Sequence, residues 1–291
     1  MAWVNAIIQG ILTGGLYALF ACGLSLMFGV MKVVNLAHGD LAVIAGYIAI
    51  GIVFVTHMPV LWSFLIVVPV MAAVGYALQR TLIQAALNRS VLTTLLVMFG
   101  LSIVIENGLL QFFSANTRGI GVNLALVTDS INAGSQIQIA WLLIVIFAAA
   151  VAVLTGLQYF LSRSRYGRLI RAVADDPEAA QLAGADYRHV FGIAAAIAFG
   201  TVALAGIAYG MYSQLDPTAG TDTILLFAFA AVVIGGLGSL WGTLLGGIVL
   251  GIAQQVGAQL NISYETLAGY LVFLAVLVIR PQGLITTGNQ S

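Results

Sequence analysis

Charge is what this chain has least of. Lys, Arg, Asp and Glu make up only 7% of 291 residues, ten basic and ten acidic, where soluble domains carry about 25%. With 61% hydrophobic residues and a mean hydropathy of +1.08, a water-soluble fold is excluded. Apolar runs near the roughly 20 residues that cross a bilayer as helix recur from end to end, without the alternating ten-residue pattern of a membrane barrel. The fold class is therefore all-α, a polytopic transmembrane helical bundle. The balanced charge includes no basic domain that would hold nucleic acid.

Other scarcities narrow the chemistry. Cys22 is the single cysteine, so no disulfide forms within the chain, and it reads as a small packing residue. Lys32 is the single lysine, which rules out a Gly-rich phosphate loop ending in Gly-Lys-Ser/Thr. His38, His57 and His189 have no metal-ligand spacing, so no metal site is expected. The first apolar run begins almost at Met1, has no basic stretch before it and outlasts a signal-peptide core, so it is expected to be retained as a span.

The apolar runs place spans at about 5–30, 38–56, 60–79, 91–113, 139–161, 190–213, 223–238, 240–258 and 264–280, about nine in all, with eight to ten the range. Within 223–258, "VIGGLGSLWG" reads either as a turn or as a break in a discontinuous helix. Basic residues stay on the cytoplasmic side. Nine spans put Lys32, Arg80, Arg89, Arg163, Arg165, Arg168, Arg171, Arg188 and Arg280 on one face, with the N-terminus outside and the C-terminus cytoplasmic. Arg118 alone disagrees, in a polar loop from Ser114 to Gln138. Glycines number 33. Gly238, Gly242 and Gly246, Gly247 and Gly251, and Gly10 and Gly14 recur at four-residue spacing, which lets helix backbones approach closely in lipid.

Two places carry polar groups where apolar ones are expected. "VVNLAHGDL", Val33 to Leu41, puts Asn35, His38, Gly39 and Asp40 between two spans, and the run after it, Leu41 to Thr56, is short for an untilted crossing. Non-helical backbone at that depth is tolerated when buried in protein or lining a cavity, so the stretch reads as a helix break whose backbone and side chains are satisfied inside the bundle. Glu106, next to Asn107 inside the fourth run, costs about 2.5–3.5 kcal/mol on insertion scales; it is expected to face the bundle interior with a hydrogen-bonding partner.

The one substantial cytoplasmic element is the loop 162–189, which holds five of the ten basic and four of the ten acidic residues. Within it "DDPEAAQLAG" has the parts of a short helix. Asp176 caps it, Pro177 suits the first position, Glu178 favours the positive dipole end, and Gly184 takes the left-handed C-terminal position. So short a helix is marginal alone and needs a partner surface. Its small face, Ala179, Ala180 and Ala183, suits a groove on another protein.

Glu178-Ala179-Ala180 followed by Gly184 resembles the cytoplasmic loop by which ABC-importer permeases dock into their ATPases. "GLYALFACGLSLMFGVMKVVNLAHGDLAVIAGY", "YGRLIRAVADDPEAAQLAG", "AFAAVVIGGLGSLWGTLLGGIVLG" and "IRPQGL" resemble, in order, the motifs of the branched-chain amino-acid permease family of ABC importers. The resemblance covers almost the whole chain as a single permease domain, 1–291. It implies a non-enzymatic permease subunit of a bacterial inner-membrane importer moving branched-chain amino acids by alternating access, with no cofactor of its own. Its implied partners are a second related permease, as a heterodimer, two ABC ATPase subunits that use ATP, an extracytoplasmic substrate-binding protein, and membrane lipid. The chain departs from the family at Gln254-Gln255, where relatives often carry Glu; Gln254 therefore joins Asn35, His38, Gly39, Asp40 and Glu106 as candidates for the translocation pathway, and a sibling importing urea or short amides is the nearest alternative. A secondary transporter or channel expects a relay of intramembrane charges, which the spans lack apart from Glu106 and the Asp40 region.

Overall fold

The computed structural model describes residues 2–57, 59–120, 130–132 and 138–285. Among these, eight helical stretches are long and apolar enough to cross a membrane. They are α1 (Ala2–Met31), α2 (His38–Thr56), α3 with α4 (Val60–Leu87), α5 (Val91–Phe113), α6 (Trp141–Arg163), α9 (Tyr187–Tyr212), α11 (Leu240–Leu260) and Ile262–Ile279, whose main part is α12 (Glu265–Ile279). The ninth expected run is the short segment Gly220–Gly235, a π-helical turn (Gly220–Ile224) leading into α10 (Leu225–Gly235). A second π-helical turn, Gln79–Ile83, joins α3 (Val60–Leu78) to α4 (Gln84–Leu87) and carries the third run beyond its expected end. Two three-residue strands, β1 (Ser130–Asn132) and β2 (Gln138–Ala140), pair antiparallel. Residues 121–129 and 133–137 of the expected outer loop lie outside the described set.

A helix that is apolar all round has no face for water and belongs at the centre of a bundle or in lipid. Both outcomes occur. α1 and α9 are largely buried and form the core with α2, α10 and α11, whereas α5, α6 and α12 leave most of their apolar surface outward. Small residues set the closest crossings. A Cβ added at Gly10 of α1 would lie 2.6 Å from the Ile252 Cα, and one at Gly251 of α11 would lie 2.8 Å from the Gly14 nitrogen, so these two helices meet backbone to backbone. Gly242 and Gly246, on another side of α11, press on Gly235 and Ala231 of α10. The four-residue glycine spacing is thus helix packing within this chain.

Gly238 does not belong to that series. It sits in the turn between α10 and α11 with φ +83°, after Gly236 at φ +108°, and "VIGGLGSLWG" is a turn. The segment that follows α12 folds back on this turn: the Leu284 and Ile285 amides donate to the carbonyls of Ile234 and Gly235 at 2.8 and 3.0 Å, satisfying the C-terminal end of α10. Arg118, the basic residue out of step with the others, pairs through its backbone with Leu215 and holds its guanidinium 5.3 Å over the Phe113 ring. A cation–π contact of this kind suits an arginine at a membrane boundary.

Candidate translocation and coupling sites

α1 ends at Met31, and Lys32 takes a left-handed conformation (φ +57°) that turns the chain back. Six residues, 32–37, then run beside α1, at about 3.3 Å each enough for roughly 20 Å. They bring the start of α2 level with Phe20, eleven residues before the end of α1, or about 16 Å at 1.5 Å per residue. The His38 Nε2 lies 2.8 Å from the Phe20 carbonyl oxygen. Since a carbonyl only accepts, Nε2 carries the proton, and the buried Nδ1 has no partner among the described residues. Asn35 organises the approach: its Oδ1 accepts from the Ala37 amide at 3.0 Å, and its own carbonyl accepts from the His38 amide at 3.2 Å. Asn35, His38 and Asp40 are all buried within the chain.

The break meets a second irregular segment. Gly39 and Gly220 touch so closely that a Cβ on Gly39 would strike the Gly220 carbonyl, and one on Gly220 would strike Asp40. The Asp40 carboxylate accepts from Ser102 of α5 and from Thr221 of the π-helical turn, the latter at 3.2 Å to Oδ1. Ser102 and Thr221 lie 3.2 Å apart. One carboxylate thus ties α2, α5 and the π-helical turn through hydroxyls, with no salt-bridge partner among the described residues.

Glu106 lies one turn beyond Ser102 and is half-buried, yet it has no hydrogen bond or ion pair among the described residues. The expected partner is missing because α5 packs on the bundle along a narrow strip only. Asn107 spends its amide on the Ile103 carbonyl of its own helix, 2.8 Å away. Gln254 is buried in α11, where its Oε1 accepts from the Tyr17 hydroxyl and its Nε2 has no partner among the described residues. It stands apart from the Asp40 cluster, so the pathway candidates form two groups.

Between them is a cavity that sequence reading missed. It measures about 330 Å³, and Tyr17, Phe20, Tyr209, Tyr212, Phe227 and Glu265 are among its lining residues. Tyr212 closes the end of α9 remote from the loop 162–189, so the cavity lies on the face opposite that loop. Its floor is aromatic: Tyr17 against Phe227 with ring centres 5.2 Å apart, and Phe20 against Tyr209 at 5.9 Å. Phe20 therefore contributes its ring to the cavity and its carbonyl to His38 on the break. The residues come from four distant parts of the chain, and no spacing signals their meeting.

The loop 162–189 forms α7 (Arg165–Asp175) and α8 (Pro177–Leu182). Asp176 caps α8 by accepting from the amides of Glu178 and Ala179, each at 3.0 Å. At the other end the Gly184 amide donates to Gln181 and the Ala185 amide to Ala180, the paired bonds of a left-handed C-terminal cap, with Gly184 at φ +89°. The alanine face is divided, however. Ala180 is buried against the chain itself, while Ala179, Ala183 and Gly184 are exposed and Leu182 is 90% exposed. Positions 179, 180 and 183 share one helix face about 100° wide, and the boundary between chain and solvent runs through that face, with Ala180 on the inner side. A groove of about 570 Å³ runs along the other flank of α8, between Asp176, Pro177 and Gln181 and the end of α4 at Leu87 and Asn88.

Residues 6–280 match the family model described as branched-chain amino acid transport system / permease component. The high-affinity branched-chain amino acid transport system permease protein BraD of Pseudomonas aeruginosa is 29% identical, covering 97% of this chain and 95% of that one. The corresponding protein LivH of Escherichia coli is 27% identical with the same coverages. The ribose import permease protein RbsC of Haemophilus influenzae is 27% identical over 90% of this chain and 80% of its own. Among solved structures, PsaBC from Streptococcus pneumoniae in complex with Fab is similar at a TM-score of 0.44 and 14% identity, covering 97% of this chain and 91% of that one, a likeness too distant to add to the assignment. The match across nearly the whole chain, together with a polytopic helical bundle interrupted where the polar residues gather, makes this a multi-pass membrane protein belonging to the branched-chain amino acid transport permease family.

Proposed function

We propose that this chain is the membrane-spanning subunit of a bacterial inner-membrane ABC importer that moves a branched-chain amino acid or a close analogue by alternating access. The observation that carries the reading is the meeting of two helix irregularities at Gly39 and Gly220, directly beneath an aromatic cavity. Discontinuous helices whose ends face a central site are how transporters present backbone dipoles to a solute. Asn35, His38, Gly39 and Asp40 form the break, and Gln254 holds Tyr17 at the cavity wall. The N-terminus lies outside and the C-terminus inside.

Energy comes from two separate ATPase subunits, for which α8 is the dock; the chain itself carries no ATP or other cofactor. Asp176, Pro177, Glu178, Ala179, Ala183 and Gly184 build and flank the exposed part of α8, and Ala180 seats it on the permease. A second related permease, as a heterodimer, offers Glu106 the partner that the described residues of its own chain do not. A substrate-binding protein delivers solute to the cavity side.

The experiment is uptake of labelled leucine by cells producing this chain with the subunits of its gene neighbourhood, alongside Leu182→Glu. Leucine accumulation that requires the ATPases, and a loss of both accumulation and ATPase co-purification in Leu182→Glu at unchanged membrane level, are expected. Full ATPase association in a variant that no longer transports makes α8 a gate element and refutes the docking assignment. Uptake of urea or a short amide in place of leucine refutes the substrate class.

A further inference from the structure

The aromatic cavity has a chemical bias that its overall composition hides. Among its lining residues Glu265 is the one charged group, and no Lys or Arg is present to neutralise it. Glu265 opens α12 and is half-buried, at the rim. Beneath it lie the ring pairs Tyr17–Phe227 and Phe20–Tyr209. The Tyr17 hydroxyl is engaged by Gln254, which leaves the ring and not its polar end to the cavity. A carboxylate at the rim and π faces beneath form an electronegative pocket, in which a cation gains from the charge and from the ring quadrupoles together. A free carboxylate group is repelled there. The volume of about 330 Å³ stands at the low end of the roughly 300–1,000 Å³ range of small-molecule sites, which limits the guest to a small solute.

We propose that this cavity binds the primary ammonium group of a small aliphatic solute, with the Glu265 carboxylate as its counter-charge and the rings of Tyr17, Tyr212 and Phe227 as its walls. The assignment deepens the transport reading and rests on it only for the identity of the solute as an amino acid. It makes Glu265 a specificity-determining residue: solutes of the same shape without an amine are disfavoured at the first site they meet.

The test uses the full chain in phosphatidylcholine nanodiscs, with Cys22→Ala and a reporter thiol at the cavity rim, Thr266→Cys. Cationic and anionic methanethiosulfonate reagents label the thiol, each rate being taken relative to that with a small free thiol. The cationic reagent is expected to be favoured about five- to tenfold, the size of a partly exposed charge plus a cation–π contact. 3-Methylbutylamine and leucine should slow labelling and 4-methylpentanoate should not. Glu265→Gln should bring the reagent ratio close to one and abolish protection by the amine, while Glu265→Asp keeps both; thermal unfolding of each variant shows that it is folded. Equal protection by the acid and the amine, or an unchanged ratio in a folded Glu265→Gln protein, overturns the proposal. The transport reading fails separately: an importer that moves an amine-free solute while the reporter still prefers cations leaves the site standing, and leucine uptake with a KM indifferent to Glu265→Gln removes the site while transport stands.

Discussion

The Nε2 of His38 donates to the carbonyl of Phe20, 2.8 Å away, from a position eighteen residues later in the chain. That carbonyl also lies within the regular hydrogen-bonding run of α1, so it is shared between its own helix and the imidazole. The bond fixes how far the returning segment climbs beside α1 before α2 begins, and it fixes the tautomer. His38→Ala is expected to lower stability by about 2–4 kcal/mol, through a cavity and a lost buried hydrogen bond. The measurement is unfolding of the detergent-solubilised protein. His38→Gln, which keeps a donor, should recover part of the loss, and a loss equal to that of alanine assigns the effect to volume alone.

Asp40 and Thr221 should be energetically coupled. In a double-mutant cycle of Asp40→Asn and Thr221→Val, an interaction energy of about 0.5–3 kcal/mol is expected, as for contacting residues in one network. Additive effects would mean that the carboxylate ties α2 to α5 through Ser102 only.

Glycines that touch backbone and glycines that touch nothing should respond oppositely. Gly14→Leu and Gly251→Leu force α1 and α11 apart and should each cost about 1–3 kcal/mol. Gly100, Gly108 and Gly156 have open space where a Cβ would go, so alanine there should be neutral or raise stability by up to about 1 kcal/mol through helix propensity. Membrane yield and thermal unfolding report both. A destabilising Gly156→Ala points to a contact outside this chain.

Gly184→Val should unwind the end of α8, because a β-branched residue resists the φ of +89° found there. Ala180→Glu should act differently, by burying a charge against the permease itself. Proteolysis of the loop should rise in both. Transport and ATPase association should fall together in both, and full ATPase association in a variant that no longer transports makes α8 a gate element rather than the dock.

The two faces of the membrane are open to direct labelling. In a Cys22→Ala background, cysteine at Asn116, exposed in the turn after α5, should react from outside, and cysteine at Gln181 from inside. The reverse pattern overturns the orientation.

Much of this architecture is legible in the chain, for reasons that also mark where legibility stops. Bilayer length is a one-dimensional constraint, so the nine apolar runs emerge from counting, and Asp176, Pro177 and Gly184 act on their own neighbours, so the caps of α8 read directly. Contacts across the bundle leave no such trace. Helices that are apolar on all sides give no pattern saying which face meets which neighbour, so the Ser102 and Thr221 hydroxyls around Asp40 and the tyrosine cavity come from the fold alone. The division of the alanine face was missed for a related reason: whether Ala180 turns inward depends on where α8 lies against α9, which residues 177–183 do not encode. Glu106 at its depth asks for a partner within the bundle, and the narrow seating of α5 leaves it without one among the described residues.

The bonds from Leu284 and Ile285 to Ile234 and Gly235 also bear on biosynthesis. α10 emerges from the ribosome with its last carbonyls bare, and the amides that satisfy them are translated dozens of residues later, several seconds at about 5–20 residues per second. During that interval this short apolar helix has only water or the insertion machinery to serve its end. Completion of α10 is therefore a late event of assembly, and a nascent chain stopped at Arg280 should be easier for quality-control proteases to extract than one that reaches Ile285.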